Sequence, residues 1–216
     1  MRNIIAASLL LLVISCSKDE DNFEDPTKTK YLVTVKTDWS ASTHPQDFPA
    51  NPHFSPFIGM VHNSESVLFE EGTLASAGIK VMAETGKTSP LDNEINALIS
   101  NGTAQSLVIG GGIGVSPGSV TIELAIDSSF SLVSLVSMLA PSPDWFIAIE
   151  NVDLYENGAF VEEVTVPITI YDAGTDAGIT YTSADEVSMP QEKIYEITTG
   201  PTAAASIGSV TIKKVE

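Results

Sequence analysis

Cysteine is almost absent from this chain of 216 residues, Cys16 being the only one. No disulfide can form within the chain, so the fold has to rest on its apolar core. Basic side chains are also scarce, with 10 Lys and Arg against 28 Asp and Glu and a net charge of −18. Such a surface repels phosphate backbones and excludes nucleic acid as a partner. It is compatible with divalent cations, and equally with solubility alone. The three histidines, His44, His53 and His62, fit no zinc-site spacing and have no cysteine to help them, so hydrogen-bonded loop imidazoles are expected. No apolar run reaches the roughly 20 residues of a membrane-spanning helix. The Gly-x-Ser-x-Gly elbow, the zinc-protease helix motif and any repeat at solenoid spacing are missing too.

What is present begins at the N-terminus. Met1-Arg2-Asn3 is short and positively charged, and residues 4–14 are apolar almost without a break. That is the pattern of a secretory leader. The run ends Val13-Ile14-Ser15-Cys16, with a small residue just before the lone thiol. The arrangement resembles a bacterial lipobox, whose cysteine receives a diacylglycerol before the leader is removed. An ordinary leader with an incidental cysteine is the plainer alternative. The lipobox reading makes residues 1–15 a signal peptide and Cys16 a lipidation site. It makes the membrane a partner through that lipid, and it places the protein on the bacterial cell envelope, at the outer membrane. Residues 16–30 are polar and mostly acidic. They bury too little apolar surface to fold, and they form a tether that is not drawn to anionic headgroups. The segment resembles the acidic export tags of some Gram-negative surface lipoproteins, and it reads equally as a plain linker.

Residues 31–216 fit one domain, and 43% hydrophobic residues overall supply a core. Enrichment in β-branched and aromatic residues predicts strands at 31–37, 57–61, 119–126, 131–138, 146–152, 159–170, 193–198 and 206–215. One helix is expected after Ser89 as cap and Pro90 in the first turn, with Leu91, Ile95, Leu98 and Ile99 on one face and Asn101-Gly102 as the stop. Residues 78–84 suggest a second, shorter helix. Many short strands with one or two helices inserted predict a β-sandwich.

Two carboxylates four residues apart stand out in Tyr171-Asp172-Ala173-Gly174-Thr175-Asp176-Ala177-Gly178. Glycine lets such a loop fold back until both converge, and converging like charges demand a proton or a cation. A hard cation such as calcium, with loop carbonyls, satisfies that demand. Asp144, in Ser142-Pro143-Asp144-Trp145, is a further acidic residue at a strand end. Spacing alone is equally met by solvated acidic turns. Gly110-Gly111-Gly112-Ile113-Gly114 lacks the Gly-Lys-Ser/Thr of a phosphate loop and reads as a flexible turn. Asn101-Gly102-Thr103 fits the glycosylation pattern, which a bacterial lipoprotein rarely uses. Trp39 and Trp145 are read as packing residues near a sandwich edge.

Ordered motifs extend the reading. Thr43-His44-Pro45, Phe48-Pro49, His53-Phe54-Ser55 and Ile58-Gly59 are followed by Glu71-Gly72-Thr73-Leu74-Ala75-Ser76-Ala77-Gly78 and Ala83-Glu84-Thr85-Gly86. Then come Pro141-Ser142-Pro143-Asp144-Trp145, the 172–178 loop and Pro190-Gln191-Glu192-Lys193-Ile194. Together they resemble the spondin N-terminal domain from about Tyr31 to the C-terminus. The resemblance implies a C2-like antiparallel β-sandwich that binds Ca²⁺ at one end through Asp144, Asp172 and Asp176. Cysteines that animal members carry beyond the Ser-Pro-Asp-Trp strand are missing here, as are their accompanying modules, so their partners do not carry over. The expected function is a non-catalytic, calcium-binding adhesion or ligand-binding domain, with a protein or glycan as ligand. The alternatives are an envelope hydrolase using Asp172 with Asp144 or Asp176, and a structural accessory lipoprotein of an envelope complex.

Overall fold

The structure is a computed structural model that describes residues 28–203 and 205–215. The proposed leader, Cys16 and most of the tether lie outside the described residues. The first strand, β1 (Thr29–Thr37), already includes the last two residues expected of the tether. In chain order β2 (His53–Phe54), β3 (Ile58–His62), α1 (Ala77–Thr85), α2 (Leu91–Ser100), β4 (Ala104–Ile109), β5 (Gly118–Ile126), β6 (Leu132–Ala140) and β7 (Trp145–Asp153) follow. The chain continues with β8 (Tyr155–Glu156), β9 (Ala159–Phe160), β10 (Glu163–Pro167), β11 (Thr169–Asp172), β12 (Tyr195–Glu196) and β13 (Gly208–Lys214).

Two antiparallel sheets form the sandwich. The smaller runs β10-β13-β1-β5, and the larger runs β12-β11-β7-β6-β3-β4 with β2 paired to β6. Along β1 the period of two is clean, with Tyr31, Val33, Val35 and Thr37 buried between the sheets. β6 is different, because residues 133–140 are buried without a break. One face of β6 meets the smaller sheet and the other lies under the helices. A second core cluster there joins Met60, Val136, Met138 and Phe146 to Ile79, Met82, Leu91 and Ile95. The helix therefore packs on the sandwich as expected, though Leu91 and Ile95 anchor it while Leu98 and Ile99 are only partly buried.

Local chemistry sets the helix ends. Ser76 caps α1 by accepting from Ile79 N, and Gly86 closes it in a left-handed turn at φ 68°. Glu94 of α2 reaches back to that N-terminus, accepting from Gly78 N at 2.7 Å and Ser76 Oγ at 2.6 Å. A carboxylate there meets both orphan amides and the positive end of the helix dipole. Ser89 does not cap α2. The cap position is Pro90 without a side-chain bond, and Asn93 N is satisfied by Asp92 Oδ1 at 2.7 Å instead.

Other expectations change. The predicted strand 159–170 is three elements: β9 pairs with β8, β10 joins the smaller sheet and β11 joins the larger. Pro167, which has no amide to give a ladder, ends β10 where the chain crosses between sheets. Only Tyr195 and Glu196 of 193–198 pair with the sheet, because Ile194 is bonded to the 72–73 turn on both its backbone groups. β4 went unpredicted, its ragged burial giving no alternation to read. The glycine run at 110–114 is pinned rather than free, since Phe54 and Ile113 exchange backbone bonds at 2.9 and 3.1 Å.

Candidate metal-binding loops

Strand register builds the site. Trp145 opens β7, Asp172 closes β11 and Tyr195 opens β12, and pairing sets Asp172 opposite both of the others. Trp145 Nε1 and Tyr195 Oη then donate to Asp172 Oδ2 at 3.1 and 3.0 Å, while Gly174 N donates to Oδ1 at 2.7 Å. Asp144 lies one residue before Trp145, in the β6–β7 turn. Its Oδ2 accepts from Thr175 N at 2.7 Å, Thr175 Oγ1 at 3.2 Å and Asp176 N at 3.0 Å. The 174–176 peptides can reach it because Gly174 adopts φ +70°, where a Cβ would sit 2.5 Å from Glu192 O.

Asp144 is fully buried, yet its Oδ1 has no hydrogen-bond partner. Burial foremost, then the neighbouring charge of Asp172, pushes the Asp144 carboxyl up to about 6, against the pull of its bonds from Thr175 and Asp176. Asp172 is also raised by burial, opposed by its bonds from Gly174, Tyr195 and Trp145. The two neighbouring buried carboxyls leave one oxygen, Asp144 Oδ1, without a partner, and oxygen is the donor a hard cation takes.

Asp176 joins them differently. Its backbone amide faces Asp144, but its side chain accepts from Gly178 N at 2.8 Å and Glu186 N at 2.9 Å, tying the loop to residue 186. Among the described residues, no three His, Cys, Asp or Glu side chains form a group ready to hold a metal. The structure thus brings Asp144 and Asp172 together and turns the Asp176 carboxylate towards its own loop. Sequence reasoning missed Tyr195 and the hydrogen-bonding role of Trp145, since only the pairing of Asp172 with both strands reveals them.

The histidines lie apart. His62 donates from Nδ1 to Asn63 O at 2.9 Å and accepts at Nε2 from Ser134 Oγ. His44 pairs with Thr43 Oγ1 and Ala205 O, and His53 with Asn51 O. Burial lowers the pKa of both His44 and His62, which suits neutral, hydrogen-bonded rings. Trp39 is buried packing, its ring against Phe48, Phe54 and Tyr181.

Residues 29–207 match the spondin N-terminal domain family, Spondin_N. The chain belongs to that family. It is 34% identical to spondin-1 of Gallus gallus over 175 residues, covering 78% of this chain and 22% of the relative. With spondin-2 it shares 31% identity in Rattus norvegicus and 30% in Homo sapiens, over 173 residues and 52% of each relative. The chain therefore spans about half the length of spondin-2 and under a quarter of spondin-1. The aspartate loops and the Ser-Pro-Asp-Trp turn fall inside the family match.

Proposed function

We propose that this chain is a non-catalytic binding or adhesion domain of the bacterial cell envelope. It is tethered to the membrane through a lipidated Cys16 and holds one Ca²⁺ in its loops. The observation that supports the metal is the buried, unpartnered Asp144 Oδ1 beside the Asp172 carboxyl. Asp144 and Asp172 would hold the ion, with loop carbonyls and water completing the six to eight oxygens calcium takes. Asp176 holds the loop that cradles Asp144, its two carboxylate oxygens engaged by the Gly178 and Glu186 amides. When bound, the ion supplies positive charge between two carboxylates that otherwise repel. A hydrolytic pair of Asp172 with Asp144 or Asp176 draws no support from the geometry, because Asp144 is fully buried and both Asp176 carboxylate oxygens are taken by backbone amides.

Terbium tests the site, since the Trp145 indole is hydrogen-bonded to Asp172 and can sensitise a lanthanide held there. The expected result is sensitised emission that Ca²⁺ suppresses and that Asp144→Asn weakens sharply. Folded protein that gives no such emission would overturn the metal reading.

A further inference from the structure

The surface beside the aspartate loops is unusually apolar at its tips. Ile179, Val187 and Met189 are 79%, 63% and 86% exposed. They lie on two segments bound to each other, with Ala177 N donating to Glu186 O at 2.7 Å and Ser188 N to Thr175 O at 3.0 Å. Tyr181, 1% exposed, pins the same loop into the core, accepting from Trp39 Nε1 and donating to Pro201 O. The apolar tips are thus held in place before any partner arrives, which lowers the ordering cost of binding. Ile179 also lines a groove of about 260 Å³ with Trp145, Asp172, Tyr195, Glu196 and Pro201.

Charge decides the occupant. Residues 176–200 carry five acidic side chains and one basic, Lys193. An anionic lipid surface or a second copy of this chain would meet like charge there. A basic partner meets complementary charge, around an apolar centre of the kind that protein interfaces bury.

We propose that this loop end docks a basic, apolar segment of a partner protein. Its apolar side chains cover Ile179, Val187 and Met189, and an arginine or lysine enters the groove beside Tyr195. The ring of Tyr195, 45% exposed, offers a face to the cation, and exposed Glu192, whose charge acts on Tyr195 and Asp172, offers a carboxylate. This names a partner for the binding-domain reading and rests on it, but it does not require calcium.

Three synthetic peptides test it against the ¹⁵N-labelled full chain by NMR, with calcium and with chelator: arginine–leucine, arginine–serine and glutamate–leucine. The arginine–leucine peptide should shift amides of residues 177–189 and 195–200. The other two should bind about tenfold more weakly or not at all. Ile179→Ser with Met189→Ser, both at exposed positions, should weaken the first peptide about tenfold at an unchanged melting temperature. Glu192→Gln should weaken it too. Equal binding of all three peptides, shifts confined to another face, capture by phosphatidylglycerol vesicles instead, or self-association through this face would overturn the proposal. Loss of the terbium signal with peptide binding intact would sink the metal reading alone.

Discussion

Replacing Asp144 with Asn should stabilise the metal-free protein, and by an amount that depends on pH in a definite direction. The folded carboxyl is pushed up to about 6 from an ordinary 3.8. A raised acid binds its proton more tightly folded than unfolded, so stability is greatest below the ordinary value and falls as pH rises through the folded one. Roughly two units at about 1.4 kcal/mol each make an ionised Asp144 cost about 3 kcal/mol at pH 7. Asn keeps an oxygen to accept the Thr175 and Asp176 bonds, carries no charge and replaces the unpartnered Oδ1 with an amide. In chelator the variant should therefore melt higher than the wild type at pH 7, by about 6–12 °C for a domain of this size. That gap should close as pH falls towards 4. Asp172 and Glu150 are also raised, burial being the first cause for each, so both proteins carry those trends and the difference between them reports the Asp144 charge together with its repulsion from Asp172. The assay is thermal unfolding in chelator from pH 4 to 7.5. A gap that stays constant over that range, or a variant that is less stable at pH 7, would mean that the buried Asp144 charge does not destabilise the fold.

Other perturbations follow from the same contacts. Ile95→Ala empties a fully buried position under α2 and should cost about 2–5 kcal/mol, whereas Leu98→Ala, only partly buried, should cost less than half as much; equal losses in denaturant unfolding would show the helix is rotated from its observed face. Glu94→Ala removes the acceptor for Ser76 Oγ and Gly78 N and should cost about 1.5–3 kcal/mol, read by the same unfolding. Cys16→Ala should release the protein from membranes or leave the leader uncut, and fractionation showing normal processing and unchanged attachment without lipid label would count against the anchor.

Much of the sandwich was legible because its buried strands carry plain patterns, such as Tyr31, Val33 and Val35 alternating in β1. The helix over Leu91 to Ile99 was legible for the same reason at period 3.6. What stayed hidden depends on partners distant in sequence. β4 shows no period of its own and exists because β3 pairs with it. The crossing at Pro167 and the loss of residues 193–194 to the 72–74 turn are decisions of the whole fold. At the site, Asp144 and Asp172 could be named from motifs, and the structure adds why they are coupled: neighbouring strands bring them close and burial leaves Oδ1 of Asp144 alone. The turning of Asp176 to its own loop and the bond from Tyr195 to Asp172 are long-range facts that no local window contains.

If Asp144 and Asp172 share a calcium ion as proposed, thermal unfolding of the wild-type chain must respond to calcium, magnesium and chelator differently. An ion bound only by the folded state stabilises it by about 2.7 kcal/mol at a hundredfold excess over Kd, a rise of about 5–10 °C for a domain of this size. Calcium should restore what chelation removes, and magnesium, which demands a tighter octahedron, should not. A melting temperature indifferent to calcium across the millimolar range would mean that the two aspartates hold no such ion.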